Sequence, residues 1–136
     1  MAADRFSLEG KIALVTGGTR GIGRAIALAF ARAGAKVVTV SRKQEAVDAT
    51  VAELRAAGPG AAGIACNVSK DDETLAMVAQ AAAAFGGLDI LVNNAAVNPV
   101  FGPVENTNTG AFDKIIAVNV RAPFEIAKAV RSHFVA

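Results

Sequence analysis

The stretch TGGTRGIG, at residues 16–23, places four glycines in eight positions between an apolar run and a helical one. Glycine lets the backbone leave a strand in a tight turn and approach a ligand closely, and the free N–H groups at the start of the following helix attract an anion. The stretch therefore predicts either a phosphate-binding turn or an ordinary glycine-rich connection. The surrounding sequence has to decide between them, because a glycine motif alone is weak evidence.

Short β-branched runs alternate with alanine-rich helical stretches on both sides of this turn. Strands are predicted at residues 11–16, 36–40, 62–66 and 88–93, and helices at about residues 21–33, 44–57, 71–85 and from 110 almost to the end. This alternation indicates βαβ units in a three-layer αβα fold of the Rossmann type with a parallel sheet. The glycine stretch follows a strand and opens a helix, which is the context that dinucleotide binding requires.

The apolar pattern predicts which surfaces are buried. The run at residues 11–16 is continuously apolar after its first residue, which is typical of a central strand covered on both faces. On the first helix, the spacing predicts a packing face made of Ile22, Ile26, Ala29 and Phe30.

Composition and charge exclude several classes of protein. The 136 residues are 53% hydrophobic and 19% charged, which predicts one globular domain over residues 1–136. A net charge of +2 is too small to favour a nucleic-acid or membrane partner. Cys66 is the single cysteine, and the opening MAADRFSLEG has neither the basic nor the apolar segment of a secretory leader. We therefore predict a cytoplasmic protein without a disulfide, a membrane span or a metal site.

Three motifs together resemble the short-chain dehydrogenase/reductase family. The glycines have the spacing TGxxxGxG, residues 93–96 read NNAA where the family has NNAG, and Asn119 lies in VNVRAPF, where the family has its catalytic asparagine. The resemblance covers essentially the whole chain and implies the strand order 3-2-1-4. Within the family, VTVSRKQ and DILVNNAAVNPVFG are most similar to NADP-dependent carbonyl reductases of the retinol dehydrogenase type.

The resemblance also implies a set of cofactor-binding residues. They are Gly17, Thr19, Arg20, Gly21, Ile22, Gly23, Ser41, Arg42, Lys43, Asn67, Val68, Asn93, Ala95 and Val118. Asn67 stands where the family usually has an aspartate that contacts adenine. Its side-chain carbonyl is expected to pair with the exocyclic amine, without the charge of a carboxylate.

The end of the second predicted strand favours NADP over NAD. NAD-specific sites usually place a carboxylate about 20 residues after the glycines, where it binds the ribose 2′-hydroxyl. This chain has Ser41, Arg42 and Lys43 there, and its next acid is Glu45. Arg42, together with Arg20 of the glycine stretch, is placed to meet a 2′-phosphate. The alternative is that Arg42 and Lys43 only begin a solvated helix.

Asn119 is expected to take part in a proton relay. Pro123 follows it by four residues, and a proline has no N–H to donate to the carbonyl four residues earlier. In the family this carbonyl holds a water of the relay, so the resemblance gives Asn119 a relay role. The alternative is a kink that only shapes packing.

The rest of the family's catalytic machinery is missing from this sequence. The family reduces a small-molecule carbonyl, or oxidises an alcohol, with a tyrosine as proton donor beside a lysine and a serine. This chain has no tyrosine, and Phe124 with Lys128 only imitates the Tyr-x-x-x-Lys spacing. We therefore expect the N-terminal part of an NADP-dependent oxidoreductase that is catalytically incompetent alone. The alternative is a non-catalytic module that binds a nucleotide or associates with itself.

A sheet with the order 3-2-1-4 would leave the fourth strand at an edge. Edge strands usually carry charge or proline, whereas this one is apolar on both faces. The last helix also offers apolar residues, so a homo-oligomer is expected. The residues predicted to be exposed there are Leu88, Ile90, Leu91, Val92, Phe112, Ile115, Ile116, Ile126 and Val130.

Overall fold

A computed structural model describes residues 4–134; the predicted domain's ends, residues 1–3 and 135–136, lie outside the described residues. The strands are β1 (Ile12–Thr16), β2 (Lys36–Ser41), β3 (Ala61–Ala65) and β4 (Ile90–Val92). The helices are α1 (Gly21–Arg32), α2 (Gln44–Ala57), α3 (Asp71–Phe85), α4 (Thr109–Ile116) and α5 (Ala122–Phe134). A 3-10 turn at Val104–Asn106 lies in the loop before α4.

The four strands form one parallel sheet in the order β3-β2-β1-β4, which confirms the predicted fold class and strand order. Thr16 pairs with Val40, and Val15 pairs with Val92. The carboxyl ends of the strands therefore meet at one edge of the sheet, where parallel α/β folds bind their ligands.

Both faces of the sheet are covered by helices. Leu14 and Val38 pack with α3 and α5, whereas their neighbours Val15 and Val37 pack with α1 and α2. Successive strand residues point to opposite faces, so a strand that is covered on both sides has to be apolar throughout. This explains the continuous apolar run of β1.

The predicted packing face of α1 is only partly correct. Ile26 and Phe30 are half-buried and pack against the core, but Ala29 is exposed and Ile22 is 76% exposed. The fully buried residues of the helix are Gly23, Ala27, Leu28 and Ala31. The helix lies so close to the glycine turn after β1 that a Cβ at Gly23 would overlap the carbonyl oxygen of Gly17. Small residues therefore occupy the contact, and apolar size does not identify it.

The last predicted helix is divided into three parts. Asn108 caps α4 by accepting a hydrogen bond from the N–H of Ala111 (2.8 Å). A π-helical turn over Ala117–Arg121 then joins α4 to α5, with the N–H of Ala122 donating to the carbonyl of Ala117. Pro123 cannot donate an N–H, and a wider turn accommodates the missing bond while the helix continues.

Only some of the apolar residues predicted to be exposed at β4 and the last helix are exposed in the structure. Leu88 precedes β4 and is buried, and Ile126 and Val130 of α5 are buried against α3. Phe112 and Ile116 of α4 are exposed as predicted. The prediction treated the apolar residues of the last helix as one exposed face. In the structure Ile126 and Val130 lie on the side of α5 that packs into the core, whereas Phe124 is exposed.

No helix within residues 4–134 is long and apolar enough to cross a membrane.

We expect Ile126→Ala to lower the free energy of unfolding by about 2–5 kcal/mol, because the side chain is almost fully buried and its removal leaves a cavity. Leu75→Ala, on the exposed side of α3, is the matched control and should change it by no more than about 0.5 kcal/mol. Urea denaturation followed by far-UV circular dichroism measures both. Equal effects of the two substitutions would contradict the placement of α5 in the core.

Candidate functional site

A cleft of about 1250 Å³ opens at the carboxyl edge of the sheet. Its walls come from the turn between β1 and α1, the ends of β2 and β3, the segment after β4, and α4 with the π turn. Of the residues predicted to bind a cofactor, twelve line it: Gly17, Thr19, Arg20, Gly21, Ile22, Ser41, Arg42, Lys43, Asn67, Val68, Ala95 and Val118.

Three predicted site residues do not line the cleft. Gly23 is buried beneath it, in contact with Gly17. Asn93 is exposed, and its Nδ2 donates to the carbonyl of Pro123 (3.5 Å) instead. Asn119 lies behind the wall, where it contacts Val97. Neighbouring residues of an extended segment point in opposite directions, so Asn94 faces the cleft and Asn93 does not.

The glycine turn has a backbone that other residues would strain. Gly17 and Gly21 have φ values of 64° and 55°, in the left-handed region that favours glycine. A Cβ at Gly17 would lie 2.8 Å from the Nδ2 of Asn94, and one at Gly18 would overlap the Oγ1 of Thr39. The turn thus brings bare backbone to the edge of the cleft.

The start of α1 faces this cleft without a cap. Arg20, at the N-cap position, makes no side-chain hydrogen bond to the helix within the described residues, and the first turn contains no acid. The first backbone bond of α1 runs from the N–H of Arg24 to the carbonyl of Arg20 (3.2 Å). The N–H groups of the three preceding residues therefore have no partner within the helix. These donors and the helix dipole suit a pyrophosphate, so the residues present fit a dinucleotide.

A basic corner, made of Arg20, Arg42 and Lys43, lies beside the glycine turn. All three side chains line the cleft and are exposed. The ion pairs found within residues 4–134 use other cations, namely Arg24, Lys70, Arg121 and Lys128. The corner therefore keeps its positive charge available to a ligand.

An apolar slot, made of Val40, Cys66, Val68 and Val118, forms the far part of the cleft. All four residues are buried yet contribute to its wall. Burial raises the pKa of the Cys66 thiol to about 11, and the negative charge of Glu73 adds to this effect. The thiol is therefore neutral at physiological pH, so the slot keeps its apolar character.

Asn67 stands at the mouth of this slot, but its side chain is oriented differently from the prediction. Its Oδ1 accepts hydrogen bonds from the N–H of Ser69 (3.1 Å) and from the hydroxyl of Ser69 (2.7 Å). A carbonyl oxygen has two lone pairs, and these two hydrogen bonds occupy both of them. The side-chain carbonyl is thus not available for an adenine amine.

Thr16 and Asn94 are structurally important at the site but were not among the predicted site residues. The buried Oγ1 of Thr16 accepts hydrogen bonds from the N–H groups of Asn94 and Ala95, both at 3.1 Å. The Nδ2 of Asn94 donates to the carbonyl of Gly17 (3.0 Å). The sequence carried one signal for this, namely a hydroxyl at the end of an otherwise apolar strand, since a buried polar group needs a partner.

Asn119 holds the same segment from the other side. Its Oδ1 accepts from the N–H of Val97 (2.8 Å), and its Nδ2 donates to the carbonyl of Val97 (2.9 Å). The segment after β4 is therefore fixed at both ends, by Thr16 and by Asn119. These contacts give the Asn119 side chain a positioning role, separate from the one predicted for its carbonyl.

Residues 11–136 match the family model described as short chain dehydrogenase. The chain belongs to the short-chain dehydrogenase family. This confirms the family predicted from the motifs. The dehydrogenase/reductase SDR family member 4 of Sus scrofa is 50% identical over 126 residues, which are 93% of this chain and 45% of that protein. The chain spans about half the length of the curated relatives it matches.

Solved structures of the family are similar in fold. A metagenomic short-chain oxidoreductase in complex with NADP has a TM-score of 0.88 and 39% identity, over 94% of this chain and 58% of that one. An NAD⁺-bound xylitol dehydrogenase has a TM-score of 0.89 and 30% identity, over 97% of this chain and 50% of that one. Solved structures with either nicotinamide cofactor thus share this architecture.

We expect Thr16→Val to lower the free energy of unfolding by about 2–4 kcal/mol, because it leaves the N–H groups of Asn94 and Ala95 without an acceptor. Thr16→Ser keeps the hydroxyl and is the matched control, with a much smaller loss expected. Urea denaturation measures both variants. If serine and valine were equally destabilising, the lost methyl packing rather than the hydrogen bonds would explain the effect.

Proposed function

We propose that residues 1–136 form a single NADP-binding domain of a short-chain dehydrogenase/reductase. The observation that carries this proposal is the uncapped start of α1, which faces the cleft beside the basic corner. The donors suit a pyrophosphate, and the cations suit a further phosphate. The longer relatives suggest that the whole protein is an oxidoreductase acting on a small-molecule carbonyl or alcohol.

Each part of the cleft would hold one part of the dinucleotide. The N–H groups at the start of α1 would bind the pyrophosphate, the basic corner a ribose 2′-phosphate, and the apolar slot the base. The segment after β4, with Ala95, would continue the wall toward the nicotinamide. When bound, the cofactor would supply or accept a hydride.

The preference for NADP rests on charge. At the end of β2, where NAD sites carry a carboxylate, this chain has Ser41, Arg42 and Lys43. A charge-assisted hydrogen bond to phosphate contributes about 1.5–3 kcal/mol, so a single contact can favour NADP by tenfold or more. One similar structure is a complex with NADP and another is bound to NAD⁺, so the preference is argued from the charges of this chain alone.

We expect the chain to bind NADPH at least about tenfold more tightly than NADH, and Arg42→Ala to remove most of this difference. Lys128→Ala, whose side chain pairs with Glu125 away from the cleft, is the control and should change neither affinity. Isothermal titration calorimetry with both cofactors measures the effect. Equal affinities for the two cofactors in the unmodified chain would contradict the argument from charge.

Binding without turnover is the activity that we propose for this chain alone. It contains no tyrosine to donate a proton, and Phe124 has no exchangeable proton. Asn119 is proposed to serve the relay through its carbonyl, which Pro123 leaves without its usual helical donor. A purely non-catalytic binding module, which would use the same cleft for the nucleotide, is the second candidate.

We expect no measurable hydride transfer from NADPH to ketones or aldehydes by the 136-residue chain. General acid catalysis alone contributes about 10²–10⁴-fold, and the chain has no tyrosine to supply it in the way that the family does. Loss of NADPH absorbance measures the reaction. Turnover that survives repurification and disappears in Gly17→Val, which strains the glycine turn at the edge of the cleft, would overturn this expectation.

We also propose that the chain assembles into a homo-oligomer. An apolar stripe runs along α4, the π turn and α5 at a spacing of four residues: Phe112, Ile116, Val120 and Phe124, exposed by 56%, 39%, 58% and 61%. β4 pairs only with β1 and leaves its other edge open within the described sheet. Burial of apolar area contributes about 25 cal/mol per Å², so these surfaces favour association. The cytoplasmic location stays a prediction.

We expect a dimer or larger species at tens of micromolar, and Ile116→Glu should shift it toward monomer by placing a charge within the stripe. Leu75→Glu introduces the same charge at an exposed apolar position of α3 and is the control. Light scattering after size exclusion measures the mass. A stable monomer of the unmodified chain would rule out the assembly.

A further inference from the structure

Arg121 joins two segments of the cleft wall that are far apart in the sequence. Its Nη2 donates to the carbonyl of Ser69 (3.2 Å), and its Nε lies 3.4 Å from the Oδ1 of Asp71. Arg121 ends the π turn, whereas Ser69 lies in the turn between β3 and α3 and Asp71 begins α3. Within the described residues, these are the polar contacts found between the two segments. Together they form the Arg121 bridge.

Each side of the Arg121 bridge carries one residue of the apolar slot. Val68 precedes Ser69 in the turn after β3, and Val118 lies in the same π turn as Arg121. Both valines are buried and line the cleft, and Arg121 and Ser69 line it with them. The relative position of the two segments therefore sets how far apart these two walls of the slot stand.

The turn after β3 is firm in itself. The Oδ1 of Asn67 accepts hydrogen bonds from the N–H and from the hydroxyl of Ser69. The N–H of Asn67 donates to the Oε2 of Glu73 (2.9 Å), which ties the turn to the first turn of α3. Because Ser69 cannot move freely, a bond from Arg121 to its carbonyl fixes the π turn against the whole turn after β3.

The Arg121 bridge adds little to the stability of the fold. The side chains of Arg121 and Asp71 are 50% and 52% exposed, and water and salt screen an ion pair at that exposure. α3 and α5 are held together by packing in the core, where Ile126 is almost fully buried. The effect of the bridge is therefore expected at the cleft and not in global unfolding.

We propose that Arg121 is a positioning residue for ligand binding, which keeps the apolar slot at the width that fits a flat ring. A ligand that meets a preformed slot does not have to order its walls, and this ordering would otherwise lower its affinity. A guanidinium suits the task because its planar fork reaches two partners at once, unlike an ammonium group. This inference rests on the proposed function, in which the slot holds the base.

The test compares two ligands that reach different parts of the cleft, on the full 136-residue chain. Adenosine 2′,5′-bisphosphate carries a base for the slot, whereas inorganic pyrophosphate carries only phosphates for the start of α1. Changes in the chemical shifts of backbone amides, followed by NMR as each ligand is added, give both dissociation constants. Pyrophosphate has no ring for the slot, so it reports effects that do not depend on the width of the slot.

Three variants separate the Arg121 bridge from the charge that it carries. Arg121→Ala removes both contacts and one cation of the cleft. Asp71→Ala removes the ion pair but keeps the cation, so charge alone would strengthen the binding of an anion, whereas loss of the bridge weakens it. Asp72→Ala is the matched control, because it removes the same charge from the same turn of α3 and Asp72 has no ion pair among the described residues.

We expect Arg121→Ala to weaken adenosine 2′,5′-bisphosphate by about threefold to tenfold, and Asp71→Ala by about twofold to fivefold. Asp72→Ala should not weaken it. None of the three variants should weaken pyrophosphate by more than about twofold, because the charges they remove are exposed and screened. The midpoint of urea denaturation should stay close to that of the unmodified chain in every variant.

Several results would overturn the role of Arg121. If Asp71→Ala binds adenosine 2′,5′-bisphosphate as tightly as Asp72→Ala does, or if Arg121→Ala weakens both ligands equally, Arg121 acts only through its charge. A large fall in the urea midpoint of Arg121→Ala would show that it supports the fold instead. If the unmodified chain binds pyrophosphate alone, this inference fails while anion binding stands. If it binds neither ligand, the proposed function fails and this inference fails with it.

Discussion

The site depends on the contact of α1 with the glycine turn through Gly23, which has no side chain to separate them. Any Cβ there would overlap the carbonyl oxygen of Gly17. The same carbonyl accepts from the Nδ2 of Asn94, and the backbone of Asn94 is held by the hydroxyl of Thr16. One close contact thus fixes the helix, the turn and the segment after β4 against each other, and directs the start of α1 at the cleft.

The start of α1 at the cleft lacks the capping groups that other helices of the fold have. Asn108 caps α4, and acidic residues occupy the first turn of α3, whereas the start of α1 has neither device within the described residues. Free N–H groups and the positive end of a helix dipole, about half an elementary charge, favour an anion at this end. The adjacent basic corner adds cations that the described carboxylates do not neutralise. Both features favour a ligand with more than one phosphate.

The strands could be predicted because β1 and β2 are covered on both faces, which requires continuous apolar runs. Their order was predicted from the resemblance to the family. The packing face of α1 could be predicted only in part. Ile26 and Phe30 pack against the core as expected, but the small residues Gly23 and Ala27 are buried and the larger Ile22 lies at the cleft. Residue spacing also does not distinguish Asn93 from Asn94. The direction of each side chain depends on where β4 ends, and β4 is three residues shorter than predicted.

The orientation of Asn67 was beyond the sequence for a similar reason. An asparagine can offer either end of its amide, and only the contact with Ser69 selects the oxygen. The π turn before Pro123 is an intermediate case. The proline predicts a missing bond, but a kink and a wider turn both satisfy that condition, and the structure has the wider turn.

The most direct test of the account is to follow the backbone amide signals of the chain by NMR while NADP⁺ is added. Binding at the start of α1 predicts that the largest chemical-shift changes occur at the amides of Gly21, Ile22 and Gly23 and at the amides of the basic corner. Residues at the far end of the sheet, such as Lys36 and Ala61, should not move. Saturable binding whose chemical-shift changes lie elsewhere, or an absence of changes at the start of α1, would contradict the account.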